Sequence, residues 1–167
     1  MSSTFSIETE RLRLRAAEPG DLEDLVHLHD DPLVARYLGV RDRAWYEWRL
    51  RASDEEWAQR GHGFVVLLDR VGGRFLGRSG LKFWPEFGET ELGWVLRPEA
   101  RGRGLATEAA GALLRWGFES FDLPYITAMI RPDNAASIAV AERLGMEPLR
   151  EDVLLGDEVV VYAVRRG

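Results

Sequence analysis

The sequence contains no cysteine, only three histidines, and fewer basic than acidic side chains. Each shortage removes a class of answer. Without cysteine there is no disulfide scaffold, no thiolate zinc site and no cysteine nucleophile. Three histidines leave little for a metal cage, so no metal is expected. Lysine and arginine total 22 against 28 acids, a formal charge of −6. That balance argues against a general nucleic-acid binder, which needs excess cations to displace counterions from phosphates. Long apolar runs are also missing. Nothing approaches the roughly 20 residues that span a bilayer. Glu8 and Glu10 interrupt the stretch from Met1 to Arg15, where a signal peptide needs an apolar core. The expected compartment is the cytoplasm.

What is present is ordinary globular material, 46% hydrophobic and 30% charged over 167 residues. That length suits a single domain over 1–167. No period of 20–50 residues repeats and no low-complexity linker divides the chain.

Periodicity then gives the elements. Arg11-Leu12-Arg13-Leu14-Arg15 alternates polar and apolar, the period-two pattern of a half-buried strand. Pro19-Gly20-Asp21 opens a helix with Leu22, Leu25, Val26 and Leu28 on its apolar stripe. Pro32 to Leu38 and Asp42 to Arg60 read as two further helices. Phe64 to Leu68 and Arg74 to Phe83 form a hairpin around Val71-Gly72-Gly73, and Thr90 to Leu96 is the next strand. A helix from Leu105 to about Ser120, a strand from Tyr125 to Ile130 and a helix from Asn134 to Leu144 follow, the last ended by Gly145. Met146 to Leu155 and Glu158 to Val164 close the chain as a hairpin. The β-α-β step from Thr90 to Ile130 makes those strands parallel neighbours. The hairpins are antiparallel, so the sheet is mixed and the class is α+β.

The most informative stretch is Arg97-Pro98-Glu99-Ala100-Arg101-Gly102-Arg103-Gly104-Leu105-Ala106-Thr107-Glu108. A strand ends, glycines and arginines follow, and a helix begins. Helix N-termini leave backbone N–H groups unpaired and carry positive potential. Glycines let a ligand approach, and arginines add forked cations. The combination describes an anion site, most naturally for a pyrophosphate. The plainer reading is a helix start with surface arginines. A P-loop fits poorly, because no Gly-Lys-Ser/Thr follows. A dinucleotide fingerprint fits poorly too, because the third glycine or alanine is misplaced.

Arg101-x-x-Gly104-x-Ala106 resembles the (Gln/Arg)-x-x-Gly-x-(Gly/Ala) acyl-CoA motif of the GNAT family of N-acetyltransferases. Glu91-Leu92-Gly93-Trp94-Val95-Leu96 is similar to that family's preceding strand. Asn134-Ala135-Ala136-Ser137 and Glu142-Arg143-Leu144-Gly145-Met146 are similar to its later helix and turn. Thr9-Glu10-Arg11-Leu12-Arg13-Leu14-Arg15, with Asp30-Asp31-Pro32 beyond, is similar to the RimJ/RimL branch. The resemblance covers about residues 8–165.

It implies an α/β/α sandwich with a mixed, mostly antiparallel sheet of six or seven strands and helices on both faces. It implies an enzyme moving acetyl from acetyl-CoA to a primary amine by direct attack in a ternary complex, which suits a chain without cysteine. The acceptor is then a protein N-terminal α-amine, as on a ribosomal protein or peptide, or a small-molecule amine. Neither nucleic acid nor membrane is an implied partner, and a homodimer is compatible with the fold.

The resemblance also implies roles. Arg101, Gly102, Arg103, Gly104, Leu105, Ala106 and Thr107 would take the pyrophosphate. The strand over 91–96 would carry a bulge and splay from the strand over 125–130, with pantetheine in the V. Trp94, Val95 and Leu96 would hold it through their backbones, and an N–H near Trp94 or Val95 would serve the oxyanion. Glu91 matches a strand glutamate that acts as base. Asn134 would bind pantetheine, and Ser137 would sit near the sulfur. The family's tyrosine acid is replaced by Ala141. That departure motivates the alternative of a non-catalytic acyl-CoA-binding regulatory module.

Other residues have simpler roles beside a functional one. Glu89 shares a face with Glu91 on a regular strand and is a weaker base candidate. His27 and His29 diverge by about 200° on a helix and suit a solvated surface. His62 lies in a glycine-flanked loop. Trp45, Trp48 and Trp57 pack on the sheet or wall the acceptor pocket, and Trp84 is a loop candidate. Asp42, Glu47, Asp54, Glu55 and Glu56 suit a cationic acceptor or simply a solvated face.

Overall fold

The computed structural model describes residues 4–167. Its elements run β1 (Ser6–Glu8), β2 (Leu12–Ala16), α1 (Leu22–Leu28), α2 (Pro32–Leu38), α3 (Arg43–Arg60), β3 (Phe64–Asp69), β4 (Phe75–Trp84), β5 (Glu89–Leu96), α4 (Leu105–Ser120), β6 (Tyr125–Ile130), α5 (Ala135–Arg143), β7 (Glu147–Leu154) and β8 (Asp157–Arg165). Short 3-10 turns at Pro19–Asp21 and Pro98–Ala100 precede α1 and α4.

All eight strands join one sheet in the order β1-β2-β3-β4-β5-β6-β8-β7. This is one strand more than the seven that periodicity gives and exceeds the six or seven the family implies. The extra one, β1, has three residues, too few for alternation to register. Every pairing is antiparallel except β5 with β6. The α4 crossover makes that exception, since parallel neighbours need a long connection.

Alternation sorts side chains to two faces. Leu12 and Leu14 on β2 and Val65 and Leu67 on β3 point into a core shared with Leu105, Ala109 and Leu113 of α4. Phe64 and Val66 point the other way, into a second core with Leu25, Leu28, Tyr46 and Leu50 of α1 and α3. Each fully buried leucine contributes about 1.5–3 kcal/mol. Gly117 lets α4 lie close: a Cβ there would sit 3.0 Å from Leu81 and 3.1 Å from Ile126.

Among the described residues, three of the five helices start on a side-chain cap, while α1 follows a 3-10 turn with no such bond from Asp21. Asp31, Asp42 and Asn134 cap α2, α3 and α5 by accepting from Leu33, Trp45 and Ser137 N–H. Gly104 begins α4 with no side-chain cap.

Candidate active site

The sheet opens where β5 and β6 meet. They pair at one position, Glu91 with Thr127, and part toward the end of β5. The backbone of Gly93 to Leu96 therefore has an edge without a strand. The bulge expected on this strand is absent from its ladder with β4, which holds a single register from Glu89 to Leu96. Register shifts lie instead between β3 and β4, at Leu67/Leu68, and between β7 and β8, at Pro148/Arg150. The opening thus comes from the divergence of β6, and Trp94 and Val95 pack on opposite cores.

The glycine turn lies at the open end. Gly102 and Gly104 adopt φ of +74° and +75°, a left-handed conformation that favours glycine. The first helical bond of α4 runs from Glu108 N–H to the Gly104 carbonyl. The N–H groups of Gly102 through Thr107 thus meet no acceptor among the described residues. The Thr107 hydroxyl is buried and equally unpartnered among them. These donors fit a pyrophosphate.

The arginines divide. Arg103 is exposed, and its guanidinium has no ion pair among the described residues. Arg101, expected to meet phosphate, is bound to Asp31 and to the Leu96 carbonyl at 3.0 Å. Arg97 is tied to Glu99 at 2.9 Å. A carboxylate beside a cation satisfies it within the fold, and adjacency in sequence does not reveal such partners.

The turn is also pinned from β2. Arg11 donates to the Arg103 carbonyl at 2.7 Å and to Glu108 through Nε at 2.7 Å. Thr9 donates its hydroxyl to the other Glu108 oxygen at 2.6 Å. The N-terminal Thr9-Glu10-Arg11 motif thus reaches the glycine turn.

Glu91 sits at the fork of the V. Its Oε1 accepts from the Trp84 indole at 2.9 Å and its Oε2 from Met129 N–H at 3.2 Å. The residue keeps some surface, yet its carboxylate is densely surrounded. Desolvation is the leading cause that pushes its carboxyl above the usual range, opposed by those two hydrogen bonds. Such a group favours a bound proton.

Glu89 differs. Arg150 grips it with two bonds of 2.6 and 2.8 Å, and the Tyr125 hydroxyl donates at 2.8 Å. The Arg150 bond leads the causes holding its carboxyl below the usual range. It is an ion-pair partner that ties β5 to β6 and β7.

On α5 the Asn134 side chain is the helix cap, accepting from Ser137 N–H at 3.3 Å. The half-buried Ser137 hydroxyl has no partner among the described residues. Ala141 is fully buried in the core.

The remaining candidates disperse. His29 is buried, correcting the surface expectation, and shares a hydrogen bond with the Tyr46 hydroxyl. Burial first, then Arg78 and Arg41, lower its pKa to about 4. His62 is buried against the Leu81 carbonyl at 3.1 Å. Trp57 belongs to the core, Trp45 packs on the second core and Trp48 is exposed. Asp42 is a cap, and Glu56 lies between Arg49 and Lys82. Asp42 and Glu56 are thus already engaged within the fold. The α2 segment bridges the opening: Asp31 holds Arg101, while Arg36 and Tyr37 hold Asp133. Among the described residues no group of acids and histidines could hold a metal, and no helix is long and apolar enough to cross a membrane.

A family model described as an acetyltransferase (GNAT) domain matches residues 11–147. The N-acetyltransferase YnaD of Bacillus subtilis is 31% identical over 84% of this chain and 81% of its own. An acetyltransferase structure from Agrobacterium tumefaciens superimposes with TM-score 0.86 at 31% identity, covering 99% of this chain and 97% of that one. RimL, a ribosomal alpha-N-protein acetyltransferase in complex with coenzyme A, shares the fold with TM-score 0.81 at 21% identity, over 96% and 98% of the two chains.

Proposed function

Because the chain belongs to the GNAT acetyltransferase family, we propose that it transfers acetyl from acetyl-CoA to a primary amine, with Glu91 as the base. Acetyl-CoA supplies the acetyl group as an activated thioester. The N–H groups of Gly102 to Thr107, the Thr107 hydroxyl and Arg103 hold its phosphates. The open edge from Trp94 to Leu96 and the Asn134 amide hold its arm.

One observation carries the assignment: a densely surrounded carboxylate of raised pKa stands at the fork of β5 and β6, beside the open edge. An alkylamine is mostly protonated at neutral pH, so a base that retains protons well suits it. The amine nitrogen forms the new C–N bond and the C–S bond breaks. The electron pair leaves on sulfur, and the amine's proton goes to Glu91. Ser137 donates a hydrogen bond to the departing sulfur, taking the part that buried Ala141 cannot.

The test is CoA release from acetyl-CoA with amino acids, polyamines and peptides of free N-terminus. Turnover with one class is expected. Binding of acetyl-CoA without turnover on any amine would favour the regulatory-module alternative.

A further inference from the structure

The face of the sheet under α1 and α3 carries a half-buried cation that no acid on that face answers. Arg78 on β4 is half-buried, its Nε is sealed from solvent, and no atom of its guanidinium has a hydrogen bond or ion pair among the described residues. Its contact is a ring: it lies 5.1 Å from the Phe64 centroid, and Arg49 lies 5.1 Å from the same centroid. Arg49 is itself buried, 8% exposed. Glu56, its acidic partner, sits at 3.4 Å and is shared with Lys82 at 3.3 Å. Both exceed the about 2.7–2.9 Å of a tight charge-assisted bond. Arg41, stacked over Trp45, adds another cation, and its side chain finds only the Val40 carbonyl.

Arg41, Arg49, Arg78 and Lys82 therefore have Glu56 and, at the fork, Glu91 as neighbouring carboxylates, because the buried acids Asp21 and Glu89 are already held by Arg15 and Arg150. Glu91 has no cation within ion-pair distance among the described residues. A half-buried guanidinium without a partner is costly, and an anion is the usual remedy. The neighbouring His29 leaves its Nε2 buried and unpartnered among the described residues. When Tyr46 donates to its Nδ1, that Nε2 carries a hydrogen and is a second idle donor.

Position links the cluster to the transfer site. Arg78 pairs across the ladder with Val95, on the strand that borders the opening. Its charge is felt by both Glu91 and His29. An acceptor with its amine at Glu91 thus has Arg78 as a neighbour.

We propose that the acceptor is a small amine bearing a carboxylate, an amino-acid type of molecule, whose carboxylate is taken by Arg78 with Arg49 behind it. The inference rests on the acetyl-transfer reading above. It reverses the cationic acceptor that the acidic composition suggested. The idle donors lie under α1 and α3 rather than on the open surface, which favours a free small molecule over a peptide chain.

The test compares matched acceptors on the wild-type enzyme by CoA release. Free L-amino acids are paired with their carboxamides and decarboxylated amines, alongside polyamines and acidic peptides with free N-termini. Free carboxylates are expected to be preferred in kcat/KM by at least about tenfold, the scale of one charge-assisted hydrogen bond. Arg78→Met should erase that preference mainly through KM, Arg78→Lys should restore part of it, and Arg51→Met on the exposed face of α3 should change nothing. Equal rates for carboxylate and carboxamide, or a preference for polyamines or peptides, would overturn the proposal while leaving acetyl transfer intact. No turnover on any amine would instead overturn the acetyl-transfer reading itself. The wild-type comparison decides the matter even if a variant fails to fold.

Discussion

Glu91 and Thr127 face each other at the one position where β5 and β6 pair. Behind that pair Thr127 is fully buried and donates its hydroxyl to the Thr90 carbonyl at 3.3 Å, so the fork is fixed. The proposed base therefore stands at the root of the V on a rigid part of the sheet.

Glu91→Gln should lower kcat by about 10²–10⁴ with acetyl-CoA affinity unchanged. The sign of its pH dependence follows from the carboxyl's raised pKa. Only the ionised form accepts a proton, so wild-type activity falls as pH drops through a value above the ordinary carboxylate range. That acid limb should vanish in the variant. An identical pH–rate profile in both would remove Glu91 as the base.

The glycine turn is open to a backbone test. Gly104 is left-handed, and a β-branched residue there is strained by about 1–2 kcal/mol. An added Cβ would also meet the Arg11 guanidinium at 3.5 Å, the group that pins the turn. In thermal denaturation, acetyl-CoA at 100 times Kd should stabilise the wild type by about 2.7 kcal/mol. Gly104→Val should show little or no such gain. A full gain would contradict the phosphate role of the turn.

Arg103 and Arg11 separate binding from positioning. Arg103→Gln should weaken acetyl-CoA binding several-fold and flatten its dependence on salt, because an exposed charge is screened within about 10 Å at 0.1 M. Arg11→Met removes the bonds to the Arg103 carbonyl and Glu108. It should weaken binding through a looser turn while leaving the salt slope unchanged. Titration calorimetry at two ionic strengths checks both.

These cases also mark what the sequence discloses. Helix and strand order is legible because periods of two and 3.6 are local properties. The uncapped start of α4 is equally local, since two glycines stand where a capping side chain would. Ion pairs are not local. Arg101 looks free beside the turn, yet its partner Asp31 lies 70 residues away. Glu89 looks like a second base until Arg150, 61 residues away, takes both its oxygens. The unpaired state of Arg78 is hidden for the same reason: absence of a partner becomes visible only when all neighbours are placed.

The Glu89–Arg150 pair yields a stability prediction of definite sign. Glu89 is 5% exposed, and Arg150 stands partly open beside it. Breaking the pair leaves a buried carboxylate with only the Tyr125 hydroxyl, and Arg150→Met should cost about 1–3 kcal/mol near neutral pH. Glu89's carboxyl is held below its ordinary value in the fold. Its contribution is therefore complete above the unfolded-state value and disappears as pH falls through the folded one. Urea denaturation at pH 7 and at pH 3 should show the variant's deficit shrinking at the lower pH. A deficit that stays constant would assign the loss to the Arg150 guanidinium's stacking over Phe87 rather than to its pairing with Glu89.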